Sequence, residues 1–197
     1  MKKKFEFYAL KLCGIIILVF LAQLFISNFS DVFVLDASVQ EEIWRFVSSI
    51  FLHVDLAHLI YNLFALALFG SILEKIIGKK KFIIIFFGTG ILANFIAVNF
   101  YDISLGASGA IFGIIGALIA IRPGMIIWAF GMPMPLFIAG ILWVAGDILG
   151  AYGFLVGNPI DNTGNIAHLS GMFFGLIFGL ILRAFRTKRK SKNHSFS

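Results

Sequence analysis

Long apolar runs are the feature that most constrains this chain. A helix needs about 20 mainly apolar residues to cross the hydrocarbon core of a bilayer. Soluble domains carry about 25% charged residues, whereas this 197-residue chain has 13% charged and 60% hydrophobic residues. We therefore predict an all-α polytopic membrane protein, a six-helix bundle forming one domain over residues 1–197. The runs lie at 5–26, 56–77, 82–100, 108–121, 134–151 and 165–185, and the fourth is short.

The cysteine content and the N-terminus limit the class of protein further. The single cysteine, Cys13, excludes a disulfide framework and a multi-cysteine metal site. Lys2–Lys4 followed by an apolar run also describes a signal peptide. This run ends in Ile26-Ser27-Asn28 without a small-x-small cleavage site. We therefore expect a retained first helix.

Lysine and arginine are distributed unevenly between the loops. With six spans, 15 of the 16 fall on one side and Arg45 alone falls on the other, whose loops carry mainly acidic residues. The positive-inside rule then predicts a cell-membrane protein with both termini in the cytoplasm, including the basic tail 186–197. The net charge of +6 reports orientation, and we expect no nucleic-acid partner because no solvent-exposed basic face is left over. The basic residues on the predicted inner side are Lys2–Lys4, Lys11, Lys75, Lys79–Lys81, Arg122, Arg183, Arg186, Lys188–Lys190 and Lys192.

Two segments between the runs carry local signals. The stretch Ser27–Asp55 becomes apolar again near its end, which is typical of a short amphipathic helix lying in the outer interface. Ile126–Phe130 fits either a prolongation of the fourth helix or a short re-entrant turn, and the sequence favours neither. The breaker Gly131–Pro135 separates it from the fifth helix.

Polar residues inside the runs are candidate site residues, because such groups are costly in lipid. At ~1.5 Å per helical residue, Ser108 and His168 lie ~21 and ~22 Å from the cytoplasmic boundary, toward the outer face. Asn62 and His58 lie ~20 and ~25 Å up by the same count. All four fall below the outer edge of a ~30 Å core, in one layer. Asn94 and Asp147 are expected to pack helices or line a cavity.

Small residues repeat at every fourth position in two of the runs. Such stripes let membrane helices approach closely. If the two stripes face each other, Ser108 and His168 meet at equal height; the alternative is that the stripes serve packing alone. The residues are Gly109, Gly113 and Ala117 in the fourth run and Gly171, Gly175 and Gly179 in the sixth.

A serine beside a histidine indicates nucleophilic catalysis, because the imidazole can remove the hydroxyl proton. His58 and Asn62, spaced i, i+4 on one helix face, could donate to the developing oxyanion together with the free backbone N–H of Ser108. No acidic residue is well placed to complete a triad, so we predict a two-residue device. The alternatives are a simple N-cap at Ser108 and helix–helix hydrogen bonds at the others.

A zinc site is the other specific interpretation, because zinc accepts histidine ligands. The sequence lacks a His-Glu-x-x-His run and has no acidic ligand in the predicted layer. We therefore expect no metal and no cofactor.

Five motifs occur in order between about Trp44 and Gly175. They are Trp44-Arg45; His58-Leu59-Ile60-Tyr61-Asn62 preceded by His53; Gly70 with Glu74; Gly106-Ala107-Ser108-Gly109; and Ala167-His168 followed by Gly171 and Gly175. In this order they resemble the rhomboid family of intramembrane serine proteases. One departure is Phe112, where many bacterial members carry a tyrosine over the histidine; a phenylalanine ring can still pack there.

The resemblance implies a minimal six-helix core that cleaves the transmembrane segments of other membrane proteins. Ser108 would be the nucleophile and His168 the base, with His58 and Asn62 at the oxyanion. The active site would open toward the extracytoplasmic side, with the fifth helix around Trp143 and the loop 152–165 as gate and cap.

Two other functions are compatible with the same residues. One is a catalytically inactive relative that binds membrane proteins or serves their quality control, against which the intact Ser108 and His168 argue. The other is a small transporter or channel, for which the sequence offers no inverted repeat and no charged pathway.

Overall fold

The computed structural model describes residues 6–39, 41–160 and 164–194, and helices make up most of them. Lys2–Lys4, which entered the charge argument, lie outside the described residues, as does Asp161, one of the acidic residues of the opposite loops. In chain order the elements are α1 (Tyr8–Phe25), α2 (Phe29–Phe33), β1 (Leu35–Asp36), a 3-10 turn (Ala37–Val39), α3 (Arg45–Ser48), a second 3-10 turn (Ser49–Phe51), α4 (Leu56–Ala65), a π-helical segment (Leu66–Gly70), α5 (Ser71–Ile77), α6 (Lys79–Ala97), β2 (Ile103–Ser104), α7 (Ser108–Ile121), β3 (Ile126–Ala129), β4 (Met132–Pro135), α8 (Leu136–Leu155) and α9 (Asn165–His194).

The predicted spans correspond to helices. Within the described residues, five helices are long and apolar enough to cross a membrane, and α4, the π segment and α5 act as one of them over Leu56–Ile77. The fourth run forms α7 with its predicted bounds and is a shorter apolar helix. The third and fifth runs differ at their ends, because α6 begins at Lys79 and α8 extends to Leu155. The architecture is therefore a polytopic all-α bundle.

Helix α7 lies at the centre of the bundle. Ten of its fourteen residues are buried. A helix that is apolar on all sides belongs in the interior, and α7 packs against both α6 and α9. At ~1.5 Å per residue it is ~21 Å long, so it is shorter than the ~30 Å hydrocarbon core.

Helices α7 and α9 meet backbone to backbone along the two stripes of small residues. A Cβ on Gly171 would overlap the carbonyl oxygen of Gly109, and one on Gly175 would overlap that of Gly113. One on Gly179 would lie 2.7 Å from the carbonyl oxygen of Ala117. The α9 stripe therefore lies against the carbonyl groups of the α7 stripe, which meets the condition for Ser108 and His168 to lie at equal height, whereas the Cβ positions of Gly109 and Gly113 face Ala93 and Thr89 of α6.

The outer segment before α4 is held by buried polar contacts. The Arg45 guanidinium donates to the carbonyl oxygens of Asp31 and Val34 at 2.7 and 2.8 Å and pairs with Glu42 at 2.6 Å. The predicted amphipathic helix is two short pieces, α3 and the 3-10 turn after it. Strand β1 pairs with β2 in antiparallel register, Leu35 opposite Ser104. This pairing connects the outer segment to the chain just before α7.

The segment between α7 and α8 is a β-hairpin. Strand β3 pairs with β4 from Ile126 opposite Pro135 to Ala129 opposite Met132. The interpretation of Ile126–Phe130 as a prolongation of the fourth helix is therefore wrong. The two turn residues, Phe130 and Gly131, have φ of 52° and 77°. Two consecutive positive φ values are typical of a type I′ turn, whose twist matches that of the flanking strands.

Candidate active site

Ser108 is the first residue of the central helix α7 and is half-buried. The N–H groups at the start of a helix have no carbonyl partner within the helix. The chain enters α7 through Gly106, which has a φ of +118°. Its N–H donates to the carbonyl oxygen of Ser49 at 2.9 Å. The serine therefore stands at the N-terminus of a buried helix, with its approach fixed to the outer segment.

The two glycines of Gly106-Ala107-Ser108-Gly109 are each required for a different steric reason. A Cβ on Gly106 would lie 2.7 Å from Cε1 of His58, so the imidazole of His58 rests directly on this glycine. A Cβ on Gly109 would lie 2.8 Å from the Cβ of Ala93 on α6 and 3.6 Å from the carbonyl oxygen of Ala167 on α9. The motif thus allows α4, α6 and α9 to approach the start of α7.

His168 lies in the second turn of α9 and is buried. Its ring is stacked on that of Phe112, with centroids 4.2 Å apart and an interplanar angle of 6°. Phe112 is four residues after Ser108, on the same face of α7. The expectation that a phenylalanine ring packs over the histidine is confirmed. Together with the contact of Gly109 with Ala167, this brings His168 to the end of α7 that begins with Ser108.

Asp147 on α8 is the site residue that the sequence reasoning missed. Its Oδ1 lies 3.0 Å from Nδ1 of His168, and both side chains are buried. A carboxylate therefore lies beside the histidine, contrary to the expectation that no acidic residue is well placed, and the contact joins α8 to α9, as expected of a residue that packs helices. A carboxylate inside a membrane helix is a candidate by default, but the sequence spacing did not indicate that Asp147 faces the histidine.

His58 and Asn62 lie on one face of α4, as their spacing predicts. Asp55 caps this helix by accepting the backbone N–H of His58 at 2.7 Å. The Asn62 side chain is buried and donates one N–H to the carbonyl oxygen of His58 at 2.8 Å. An amide carries two N–H donors, so a second one is left for another acceptor. The imidazole of His58 faces the Ser108 loop through Gly106, whereas Asn62 is tied to its own helix.

His53 lies in the loop before α4 and supports His58. The two rings have centroids 4.9 Å apart. Burial, with His58 as a second cause, lowers the pKa of His53 to about 4. The Gln23 side chain of α1 donates to the His53 carbonyl oxygen at 3.1 Å and accepts its N–H at 3.0 Å. A neutral, buried His53 therefore packs beside His58 from a loop that α1 holds in place.

Asn94 of α6 connects the outer segment to the same end of the bundle. Its amide donates to the carbonyl oxygen of Phe46 at 2.9 Å and to the Ser49 hydroxyl at 3.0 Å, and its oxygen accepts the Ser104 hydroxyl at 3.3 Å. Since Ser49 in turn accepts the N–H of Gly106, Asn94 helps to fix the entry into α7. Its expected role in packing is confirmed.

Glu74 and Trp143, two further residues of the sequence argument, lie away from this cluster. The Glu74 carboxylate is buried at the end of the bundle opposite Ser108 and accepts the N–H of Ala9 at 3.0 Å, at the start of α1. A carboxylate is favourable at a helix N-terminus. Trp143 of α8 packs edge-on against Phe69 of the π segment, with centroids 6.1 Å apart.

The arrangement brings an activatable hydroxyl, an imidazole and hydrogen-bond donors to one end of the bundle. These are the parts that acyl transfer by a serine nucleophile requires: a base for the hydroxyl proton and donors for the oxyanion. The hydroxyl comes from α7, the imidazole from α9 and the donors from α4 and α7, and α8 adds the carboxylate beside the imidazole, so the site exists only in the assembled bundle.

Comparison with known proteins points to the same chemistry. A family model described as the Rhomboid domain matches residues 40–185. The chain is 37% identical to rhomboid protease GluP of Bacillus subtilis over 68% of its own length, although the match covers 26% of that protein. It is 29% identical to the putative rhomboid protease YdcA of the same organism, over 78% of this chain and 72% of the relative. It is 28% identical to rhomboid protease GlpG of Haemophilus influenzae, over 71% and 70%.

The matched region contains the whole candidate site, from His53 to His168. With its apolar helices, the chain is a multi-pass membrane protein. We conclude that it belongs to the rhomboid family.

Proposed function

We propose that the protein is an intramembrane serine endopeptidase that cleaves transmembrane segments of other membrane proteins. The observation that carries this proposal is the stacking of His168 on Phe112, one helical turn from Ser108. It supports a base held beside the free end of α7, where the serine hydroxyl lies. The names of the relatives as rhomboid proteases support the same activity.

In the proposed reaction, the unprotonated ring nitrogen of His168 takes the Ser108 hydroxyl proton. The serine oxygen attacks the scissile carbonyl carbon, and the carbonyl electron pair moves onto its oxygen. His168 then protonates the leaving amine as the C–N bond breaks. Water hydrolyses the acyl-enzyme by the same steps, with His168 again as base. This chemistry requires no metal and no cofactor.

We assign stabilisation of the oxyanion to His58, Asn62 and the backbone N–H of Ser108. The backbone N–H is the first donor, since the start of α7 leaves it without an intrahelical partner. The imidazole of His58 lies against Gly106, two residues away. The second N–H of Asn62 would complete the set. Preorganised donors of this kind are worth about 10²–10³ in kcat each.

The substrates we propose are helices that unwind readily. A peptide bond in an intact helix is shielded, so the scissile segment has to leave the helical state before Ser108 can attack. Glycine costs about 1 kcal/mol and proline about 3 kcal/mol relative to alanine in a helix. We therefore expect cleavage near such residues. By the positive-inside argument, the site opens toward the extracytoplasmic side, with the termini in the cytoplasm.

The activity is tested with detergent-purified protein and a fluorogenic transmembrane peptide, beside Ser108→Ala and His168→Ala. We expect cleavage by the wild type and none above background by either variant. A serine-reactive phosphonate should label the wild type and leave Ser108→Ala unlabelled. If the wild type and both variants behave alike, the enzyme proposal is wrong, and a membrane-protein binding or quality-control factor takes its place.

A further inference from the structure

The contact between the side chains of Asp147 and His168 is unusual for its position in the bundle. Asp147 lies ~16 Å from the start of α8 and ~12 Å from its end, at 1.5 Å per residue. Its side chain is 9% exposed. Ionisable groups at such depth are costly, and they are kept where they have a partner or a function. Most of the neighbouring residues on α8 are exposed, so the helix turns one of its few buried positions toward the histidine.

The contact defines which nitrogen of the imidazole can act as a base. An ionised carboxylate only accepts hydrogen bonds. An ionised Asp147, with its Oδ1 3.0 Å away, would accept a hydrogen bond from Nδ1 of His168 and so favour the tautomer that is protonated there. The lone pair then belongs to Nε2, on the opposite edge of the ring. A neutral imidazole without this partner would divide its population between two tautomers, and only one of them could accept the serine proton through Nε2.

Two contacts together fix the orientation of the ring. The stacked ring of Phe112, inclined by 6°, restricts tilting of the imidazole plane. The carboxylate at the edge restricts rotation within that plane. These contacts come from α7 and α8, whereas the histidine belongs to α9. The base is thus held by both neighbouring helices.

We propose that Asp147 is a positioning residue for the base His168, an inference that rests on the proposed function. Asp147 accepts the Nδ1–H of His168 and keeps Nε2 unprotonated. When the Ser108 proton moves to Nε2, the imidazolium forms beside the negative carboxylate and is stabilised by it. Asp147 keeps its charge throughout and takes no proton, and the proton on Nε2 passes to the leaving amine.

Glu74 provides a matched control. Like Asp147, it is a buried carboxylate with one oxygen in a hydrogen bond. In each residue the other oxygen, Oε1 of Glu74 or Oδ2 of Asp147, is buried without a partner in the described part of the chain. Glu74→Gln and Asp147→Asn therefore make the same chemical change, from a carboxylate that only accepts hydrogen bonds to a neutral amide that can also donate them. The two carboxylates differ in their distance from His168, because Glu74 lies at the opposite end of the bundle.

The first measurement compares Asp147→Asn and Asp147→Ala with Glu74→Gln and Ser108→Ala in the full-length protein. We expect both Asp147 variants to lower kcat about 100-fold or more with KM within about twofold, since the analogous change in a soluble triad costs about 10⁴. The phosphonate labelling rate of Ser108 should fall in parallel, and Glu74→Gln should keep wild-type values. Wild-type kcat and labelling in Asp147→Asn would overturn the proposal.

The second measurement does not depend on activity. In protein with nitrogen-15-labelled histidine, the His168 signals are assigned by their loss in His168→Gln. We expect the Nδ1–H tautomer in the wild type and a mixture in Asp147→Ala. Equal tautomer populations in both would refute the role of Asp147. A wild type that neither cleaves nor labels, yet shows this tautomer shift, would contradict the proposed function and leave the positioning by Asp147 intact.

Discussion

The imidazole of His168 lies flat against the ring of Phe112, with 4.2 Å between centroids and 6° between planes. Parallel contact over a whole ring face places the plane of the base relative to α7, the helix that carries the serine. The ring of Phe112 is thus part of the geometry of the site although it takes no part in proton transfer.

Replacing Phe112 tests this relationship. Phe112→Ala removes the ring face, so His168 can tilt away from Ser108. We expect kcat to fall about 10- to 100-fold, since a displacement of about 1 Å can cost about 100-fold. Phe112→Tyr keeps the ring and should stay near wild-type activity. Peptide cleavage measures both, and equal activity of all three proteins would contradict the role of the ring.

Gly171→Ala should separate α9 from α7. The added methyl group would overlap the carbonyl oxygen of Gly109. Overpacking of this kind costs about 1–3 kcal/mol of the free energy of unfolding. Gly146→Ala on α8 is the control, because a Cβ there meets nothing within 4 Å. Thermal unfolding in detergent should show a lower midpoint for Gly171→Ala and an unchanged or higher one for Gly146→Ala. A reversed order would refute the close contact.

Gly106→Ala should disturb His58 as well as the backbone. The substitution meets a φ of +118° and brings a methyl group 2.7 Å from the imidazole Cε1. Gly131→Ala is the matched control, since its φ of +77° is also positive but its surroundings are open. Both variants carry backbone strain of about 1–3 kcal/mol. Only Gly106→Ala should lower kcat by about 10-fold or more. Equal losses of kcat would show that strain alone is responsible.

The buried His53 makes stability depend on pH. Its pKa is lowered from 6.5 to about 4 in the folded protein, mainly by burial. The unfolded chain therefore binds a proton near pH 6.5 that the folded chain binds only near pH 4. Stability should be full above about pH 6.5 and decrease as the pH falls toward about 4. Unfolding midpoints at pH 7.5 and 5 measure the decrease, and His53→Asn should reduce it. If the unfolding midpoint of His53→Asn falls between pH 7.5 and 5 as much as that of the wild type, other groups cause the pH dependence.

The close approach of helices at α7 and α9 could be predicted because small residues at every fourth position form a flat stripe that lets another backbone come near. The α9 stripe meets the α7 backbone, while the Cβ position of Gly113 on α7 is directed at Thr89 of α6. The matching of Gly109 with Gly171 follows from this, and so does the height of His168. The order of the helices follows from the apolar runs in the same way.

The hairpin and Asp147 could not be predicted by the same reasoning. Ile126–Phe130 is too short for its apolar pattern to distinguish a strand from a helix. Helix α8 is apolar around most of its circumference, so its sequence does not indicate which side faces the bundle. The direction of Asp147 depends on how α8 docks against α9, which is a tertiary property. Counting residues from the cytoplasmic boundary gives the depth of a residue in the membrane, but it does not show how α8 is rotated about its axis.

The contacts at Gly171, Gly175 and Gly179 determine how well the site can tolerate substitutions in α7 and α9. They are spread over two helical turns, about 12 Å along the pair. Because they join backbone to backbone, neither helix can slide by one residue without forcing a Cβ into a carbonyl group. The axial offset between nucleophile and base is therefore set by invariant peptide geometry and not by adjustable side chains. A substitution at Gly179, far from Ser108, would change that offset as directly as one beside it.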